Sequence, residues 1–228
     1  YYLHYGKSSK NLGKGASVQA VIDEERRRQI ERHHSATHLL HAAMKNILGG
    51  HINQAGSRVN EHSLRFDYTH PEALSKNLIS EIEIAVNQQI LSAFPIETNY
   101  SSLADAKESG VTALFGEKYG DEVRVVNIDE FSRELCGGCH AKNSGAIGYF
   151  RILTDKALSA GVRRMEAVTG FLAIRLAKEE QECLAEIEFE LKTPARGSVE
   201  KIKSLKKEAK AAKRASKVEL PTSEEILK

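Results

Sequence analysis

The sequence has few cysteines that could form disulfide bonds and no long apolar run that could anchor it in a membrane. Three cysteines in 228 residues are too few and too unevenly spaced for a disulfide framework. No apolar run approaches the length that spans a bilayer. The first residues lack the basic and apolar regions of a signal peptide. We therefore expect reduced thiols and a cytoplasmic location. An initiator methionine is also missing, so we expect a piece of a longer protein.

What is present suffices for a folded core. The chain is 41% apolar and 28% charged, and its length fits one large domain or two smaller ones. Its net charge of +2 is unevenly spread. Residues 201–217 hold eight Lys or Arg and one acid, a local charge of +7, which leaves −5 for the rest. This pattern indicates either a polyanionic partner or a solvated surface helix.

Helical and strand patterns alternate irregularly and predict an α+β domain around an antiparallel sheet. Apolar spacing of three and four residues predicts the helices, and alternation predicts the strands. Asp23 is the expected N-cap of the first helix, and Pro71 the expected first residue of the second. We predict helices over 26–48, 71–93, 102–109, 171–191 and 199–218, and strands over 16–22, 51–59, 63–68, 95–100, 122–128, 145–153 and 163–168.

The chain divides into three parts. Residues 1–22 are too short for a domain and are expected to be the end of one. Residues 23–170 form the main domain, which Gly170 closes. Residues 171–228 read as two helices separated by a break at 193–198, and their thin apolar stripe suits a helical hairpin or a weak coiled coil.

Two distant motifs supply complementary metal ligands. His34 and His38 lie one turn apart on one helix face. Cys136 and His140 bracket a pair of glycines, which we expect to allow a tight turn. Imidazole and thiolate are the ligands of tetrahedral zinc, and four protein ligands are typical of a structural site. Cys139 is the alternative thiolate.

Other chemistries fit these motifs poorly. A zinc peptidase needs Glu beside its first histidine, and Ser35 occupies that position. A redox Cys-x-x-Cys normally opens a helix after a strand of a βαβ unit. Here two glycines separate the cysteines, and a histidine follows them.

Seven sequence blocks together resemble the editing region of alanyl-tRNA synthetases. They occur in order as HSATHLLH (34–41), QAGS (54–57), LRFD (64–67), PIET (95–98), ALFGEKY (113–119), ELCGGCH (134–140) and GVRRMEAVTG (161–170). The resemblance covers about 18–170, and the tail resembles the helical linker to that family's C-terminal domain. It implies that residues 1–22 end a small β-barrel and that the aminoacylation domain is absent from this chain.

The resemblance also implies a function: hydrolysis of the ester that joins tRNA(Ala) to a wrongly attached serine or glycine. His34, His38, Cys136 and His140 then match the ligands of one zinc ion. Gln54 matches a glutamine important for editing, and Thr37 and Ser57 match polar positions at the amino-acid pocket. Cys139 departs from the family, which usually has threonine there.

Thr37 is expected near the metal, where its hydroxyl would bond the extra hydroxyl of serine, unless it bonds its own helix backbone. Zinc would either activate water or only position the substrate. Arg163 and Arg164 are candidates for tRNA phosphate contacts, with internal salt bridges as the alternative.

Two rival functions remain open. One is a zinc-stapled RNA-binding module without catalysis. The other is a structural piece that self-associates through its C-terminal helices.

Overall fold

The computed structural model describes residues 5–113 and 120–215. These residues form five α-helices, a 3-10 helix and seven strands. The helices are α1 (Glu24–Leu48), α2 (Lys76–Leu91), α3 (Leu103–Glu108), α4 (Phe171–Leu191) and α5 (Ala195–Ala215), with the 3-10 turn at Ser144–Ile147. The strands are β1 (Gln54–Val59), β2 (Leu64–Thr69), β3 (Ile96–Ser102), β4 (Glu122–Ile128), β5 (Ser132–Leu135), β6 (Phe150–Ser159) and β7 (Val162–Thr169).

The strands form two antiparallel sheets, which confirms the predicted α+β class. The larger sheet has the order β1-β2-β7-β6, and the smaller has the order β3-β4-β5. β2 pairs with β7 from Leu64 opposite Ala167 to Thr69 opposite Val162. This pairing joins the beginning of the domain to its end.

Helix α1 contacts both sheets. Asp23 caps it as predicted, because its carboxylate accepts a hydrogen bond of 3.0 Å from the Arg26 amide. The absence of glycine and proline permits 25 helical residues, and Gly49 with φ of 111° ends them. The middle of α1 is buried, and it packs with α2 against the larger sheet. The core there includes Leu39, Leu40, Met44, Phe66, Ile82, Val86 and Phe150.

Strand β5 was not predicted. It has only four residues with the sequence SREL, which is too short and too polar to show alternation. It pairs with β4 after a turn at Asp129, whose φ of 48° lies in the left-handed region that Asp tolerates better than most residues. β5 matters for the site because Cys136 follows it directly.

Two elements begin later in the chain than predicted for a reason that the structure shows. Helix α2 begins at Lys76 rather than at Pro71, because the Ser75 hydroxyl accepts a hydrogen bond from the Leu78 amide and caps it there. The strand predicted over 145–153 begins only at Phe150, and a 3-10 turn capped by the Asn143 side chain precedes it.

The strand predicted over 16–22 was also wrong. Residues 5–23 contain no strand, and residues 5–22 are exposed. A strand needs a neighbour for its backbone groups, and no described residues pair with this segment. That residues 1–22 end a β-barrel stays a prediction.

The C-terminal part consists of α4 and α5. The break between them is shorter than predicted, because α5 already begins at Ala195. Pro194 suits a helix start, and the Glu188 carboxylate accepts a hydrogen bond of 2.5 Å from the Ala195 amide. A hairpin or coiled coil stays a prediction.

Some of the predicted segments lie outside the described residues. These are the end of the last predicted helix, residues 216–218, and Lys217 of the basic segment. Residues 114–119 also lie outside. None of the described helices is long and apolar enough to cross a membrane.

Candidate metal centre and its cavity

The two predicted ligand motifs meet in space. His34 and His38 project from the buried middle of α1, while Cys136 and His140 lie in the loop after β5. One ligand atom from each of the four residues lies within 4.8 Å of the others. Because α1 lies between the two sheets, residues about a hundred positions apart can share one site.

The outer ring nitrogens are all occupied by hydrogen bonds. His34 Nδ1 bonds the Cys139 carbonyl oxygen at 3.2 Å, and His140 Nδ1 bonds the Ser35 hydroxyl at 3.3 Å. The Nδ1 of His38 bonds the Glu134 carboxylate at 2.5 Å. An Nδ1–H on each ring would donate these bonds and leave the Nε2 lone pair for a metal.

The Nε2 atoms of His38 and His140 are buried and have no hydrogen-bond partner in the part of the chain that the structure describes. Buried polar atoms without partners are rare in folded proteins. A metal ion would satisfy both at once. The four residues therefore fit zinc, whose preferred donors are imidazole nitrogen and thiolate sulfur.

The charge state of Cys136 suits a metal ligand. Burial raises the pKa of its thiol, but the neighbouring His140, His34 and His38 rings outweigh burial and lower the pKa to about 3. Burial is the largest cause that lowers the pKa of His140 to about 4. The site thus contains a thiolate and a neutral imidazole.

His38 has the opposite shift. Burial disfavours its charged form, yet the Glu134 carboxylate and Cys136 outweigh burial and raise its pKa to about 10. Burial also works against charge on Glu134, whose pKa the His38 and His41 rings nevertheless lower to about 2. Glu134 and Cys136 thus favour the protonated form of His38, and metal binding would release that proton.

The choice of Cys136 over Cys139 agrees with the geometry. The cluster of possible ligands contains Cys136 and does not contain Cys139. Cys139 takes part through its backbone, because its carbonyl oxygen holds the His34 ring.

The glycine pair acts differently from the prediction. Neither Gly137 nor Gly138 has positive φ. Instead, a Cβ on Gly138 would overlap the His34 ring, whereas a Cβ on Gly137 would meet nothing within 4 Å. Gly138 therefore provides room for a ligand, and the tight turn does not need its conformational freedom.

A cavity of about 530 Å³ adjoins the cluster. Three cluster residues line it, together with the three predicted catalytic residues Thr37, Gln54 and Ser57. Thr37 comes from α1, and Gln54 and Ser57 come from β1. The structure thus brings the predicted polar residues to the predicted metal cluster.

Thr37 also makes the backbone bond named as its alternative. Its hydroxyl donates a hydrogen bond of 2.9 Å to the His33 carbonyl oxygen. This bond uses the hydroxyl proton and leaves the oxygen lone pairs free to accept another bond. Both interpretations of Thr37 are therefore compatible with this geometry.

Arg163 and Arg164 each contact a carboxylate. Arg163 binds Asp155 through two nitrogens at 3.1 and 2.7 Å, and Arg164 binds Asp67 at 2.7 and 2.9 Å. Arg163 is only 8% exposed. These internal ion pairs are the alternative that the sequence offered. Contact with tRNA stays a prediction, and it would have to compete with them.

Sequence reasoning missed three residues that support the cluster. Glu134 bonds His38, His41 bonds Glu134 at 2.7 Å, and Ser35 bonds His140. Glu134 lies two residues before Cys136, and His41 lies three residues after His38. Their positions were visible in the sequence, but hydrogen bonds that join α1 to β5 were not.

Comparisons with known proteins relate the chain to the tRNA synthetases. Residues 123–166 match the family model described as "Threonyl and Alanyl tRNA synthetase second additional domain". The chain is 48% identical over 208 residues to an alanine–tRNA ligase of Haemophilus influenzae, covering 91% of this chain and 24% of the relative. It is 50% identical over 196 residues to that of Alkaliphilus metalliredigens, covering 86% of this chain and 22% of the relative.

A third relative shows the same extent of similarity. The alanine–tRNA ligase of Fervidobacterium nodosum is 45% identical over 208 residues, again 91% of this chain and 24% of the relative. The chain thus spans about a quarter of the length of these relatives. The family match and these identities support the resemblance to the editing region of the alanyl-tRNA synthetases that the motifs predicted.

Proposed function

We propose that this chain hydrolyses the ester of tRNA(Ala) mischarged with serine or glycine, with one zinc ion organising the site. The observation that carries this proposal is the shared cavity. Residues suited to binding zinc and the polar side chains of Thr37, Gln54 and Ser57 line the same space. A site that served only to staple the fold would not need these polar groups beside an open cavity.

The chemistry explains why such a site is needed. Serine exceeds alanine by a hydroxyl, and glycine lacks alanine's methyl group. Binding alone separates substrates that differ so little by only ~1–3 kcal/mol, so a second hydrolytic site is required for accuracy. That second site must accept serine, and it therefore needs a partner for the hydroxyl.

The residues divide the task as follows. Bound zinc would supply a positive charge that polarises a substrate oxygen or lowers the pKa of water. His34, His38, Cys136 and His140 hold it. Thr37 accepts a hydrogen bond from the serine hydroxyl, since its own proton is already given to the helix backbone. Gln54 and Ser57 orient the attacking water from β1.

The proposed partner is tRNA(Ala), and the proposed location is the cytoplasm. Helix α5 offers the RNA a basic surface, because its lysines are exposed along the helix. Lys and Arg that neutralise phosphates provide most of the sequence-independent affinity for nucleic acid.

Hydrolysis of Ser-tRNA(Ala) tests the proposal. The zinc-loaded chain should release serine, and Gln54→Ala should slow the release without changing zinc content. Gln181→Ala, on the exposed face of α4, is the matched control and should behave as the parent does. A parent chain that binds zinc and Ser-tRNA(Ala) but does not turn it over would refute catalysis.

One observation favours a second candidate, the zinc-stapled RNA-binding module. The cluster offers four protein ligand atoms, the number that would complete a tetrahedral shell in a structural zinc site. For such a module, Gln54→Ala would leave RNA binding unchanged, and neither protein would hydrolyse the ester.

A further inference from the structure

Glu134 is a buried carboxylate whose two oxygens hold two histidines of one helix. Its Oε2 bonds His38 Nδ1 at 2.5 Å, and its Oε1 bonds His41 Nδ1 at 2.7 Å. The Glu134 side chain is only 6% exposed. The two rings lie one turn apart on α1, so a single carboxylate from β5 spans both.

The first of these bonds affects the candidate metal centre directly. When the His38 ring is neutral and its one proton lies on Nδ1 in the bond to Glu134, the opposite nitrogen of the ring is a free acceptor. That nitrogen, His38 Nε2, is one of the buried atoms without a hydrogen-bond partner among the described residues. A carboxylate on the outer nitrogen fixes the tautomer and the orientation of a metal-binding histidine.

The second bond concerns a residue outside the cluster. His41 is buried and is not among the four possible ligands. Its ring packs against Phe66 with centroids 5.3 Å apart. His41 therefore holds the second oxygen of Glu134 from a fixed position, which stops the carboxylate from rotating away from His38.

We infer that Glu134, held by His41, is a positioning residue that sets the tautomer and orientation of His38 for metal binding. This inference rests on the proposed zinc site. It adds that the site depends on a carboxylate of β5 and on a third histidine of α1. Neither residue needs to contact the metal or the substrate.

Zinc affinity of Glu134→Gln tests the inference. Glutamine has nearly the same shape but only one acceptor oxygen, so its amide nitrogen must face one of the two ring N–H groups. We expect the zinc dissociation constant, measured by competition with a chelator, to rise roughly 10- to 100-fold. The Co²⁺ complex should also show a changed absorption spectrum, because the His38 ring is displaced.

His41→Phe is the second variant, and it keeps an aromatic ring against Phe66 while removing the bond to Glu134. It should also raise the zinc dissociation constant, but by less than Glu134→Gln does. If Glu134→Gln does not fold, this variant decides the question. Circular dichroism of the metal-free proteins shows which variants are folded.

Asp155→Asn is the matched control, since the Asp155 side chain is only 2% exposed and bonds Arg163 and Tyr68 within the larger sheet, which supplies no residue of the cluster. It should lower thermal stability and leave zinc affinity unchanged. A folded Glu134→Gln or His41→Phe protein that binds zinc as tightly as the parent overturns the inference. A parent that binds no zinc overturns the proposed zinc site as well, so the two failures are distinguishable.

Discussion

Gly138 lies where any side chain would overlap the His34 ring, whereas its neighbour Gly137 has open space around it. The two glycines are adjacent in the loop, yet only one of them touches the candidate metal centre. Replacing each glycine with alanine would restrict the backbone in both cases, but only the change at Gly138 would also clash with the His34 ring.

We predict that Gly138→Ala weakens zinc binding at least tenfold, because the new methyl group pushes the His34 ring out of the cluster. Gly137→Ala should bind zinc almost as the parent does. Competition with a chelator measures both constants. Equal losses in the two variants would show that backbone flexibility, rather than space for His34, is what the loop requires.

Thr37 allows a test of substrate selectivity. Thr37→Val keeps the shape of the side chain and removes the hydroxyl. It should slow deacylation of Ser-tRNA(Ala) by about five- to tenfold, as expected for one neutral hydrogen bond of ~1 kcal/mol. Deacylation of Gly-tRNA(Ala) should change little, because glycine has no hydroxyl to lose a partner.

Single-turnover measurements give the ratio of the deacylation rate of Ser-tRNA(Ala) to that of Gly-tRNA(Ala). Thr37→Ser, which restores the hydroxyl, is the control and should recover the preference for serine. If valine slows both substrates equally, Thr37 acts through α1 and does not contact the serine side chain.

Helix α5 is the element with the strongest charge. Its lysines are exposed, and its apolar residues Val199, Ile202 and Leu205 are partly exposed as well. A helix with this composition either remains solvated or contacts a partner. The basic side chains favour RNA, whereas the apolar stripe favours self-association.

We predict that replacing Lys206 and Lys207 with glutamine weakens tRNA binding and lowers its salt dependence. Each lost phosphate contact should reduce the slope of log K against log salt by ~0.7–0.9. Replacing the exposed helix residues Lys76 and Lys107 in the same way is the control. An unchanged slope in the α5 variant would leave this helix without a role in RNA binding.

Self-association stays a prediction for α4 and α5. Solution mass measured with and without residues 171–228 tests it. A mass that falls to that of a monomer after truncation would support the C-terminal helices as the contact.

At the scale of the whole molecule, the cluster ties α1 to the loop that follows the smaller sheet. Bound zinc would join His34 to Cys136, which lie 102 positions apart in the sequence. Because the ligands come together only in the folded chain, the free energy of metal binding adds to the free energy of folding.

We predict that removing zinc with a chelator lowers the unfolding temperature and abolishes deacylation. A free zinc concentration of a thousand times the dissociation constant contributes ~4 kcal/mol to stability. Thermal unfolding monitored by circular dichroism, with and without added zinc, measures the shift. Full deacylation activity in the metal-free protein would contradict a role for zinc in organising the site.

The sequence by itself determined most of the elements and the four clustered residues. The periodic spacing of apolar residues and the Asp23 cap are local properties of the sequence. For this reason the bounds of α1, β2, β4, β7 and α4 could be predicted closely. The four residues of the cluster could be predicted to lie together because zinc chemistry restricts which side chains can combine. Short elements such as β5 were missed, because four residues carry too little pattern.

Only the tertiary structure decided what surrounds the ligands. Hydrogen bonds between distant elements join Glu134 to His38 and His41, and they pair Arg163 and Arg164 with carboxylates. The strand expected over 16–22 failed for a related reason, since strand pairing depends on a neighbour that local sequence cannot supply. Residue types fix which chemistry is possible, but contacts across the chain depend on how α1 packs between the two sheets.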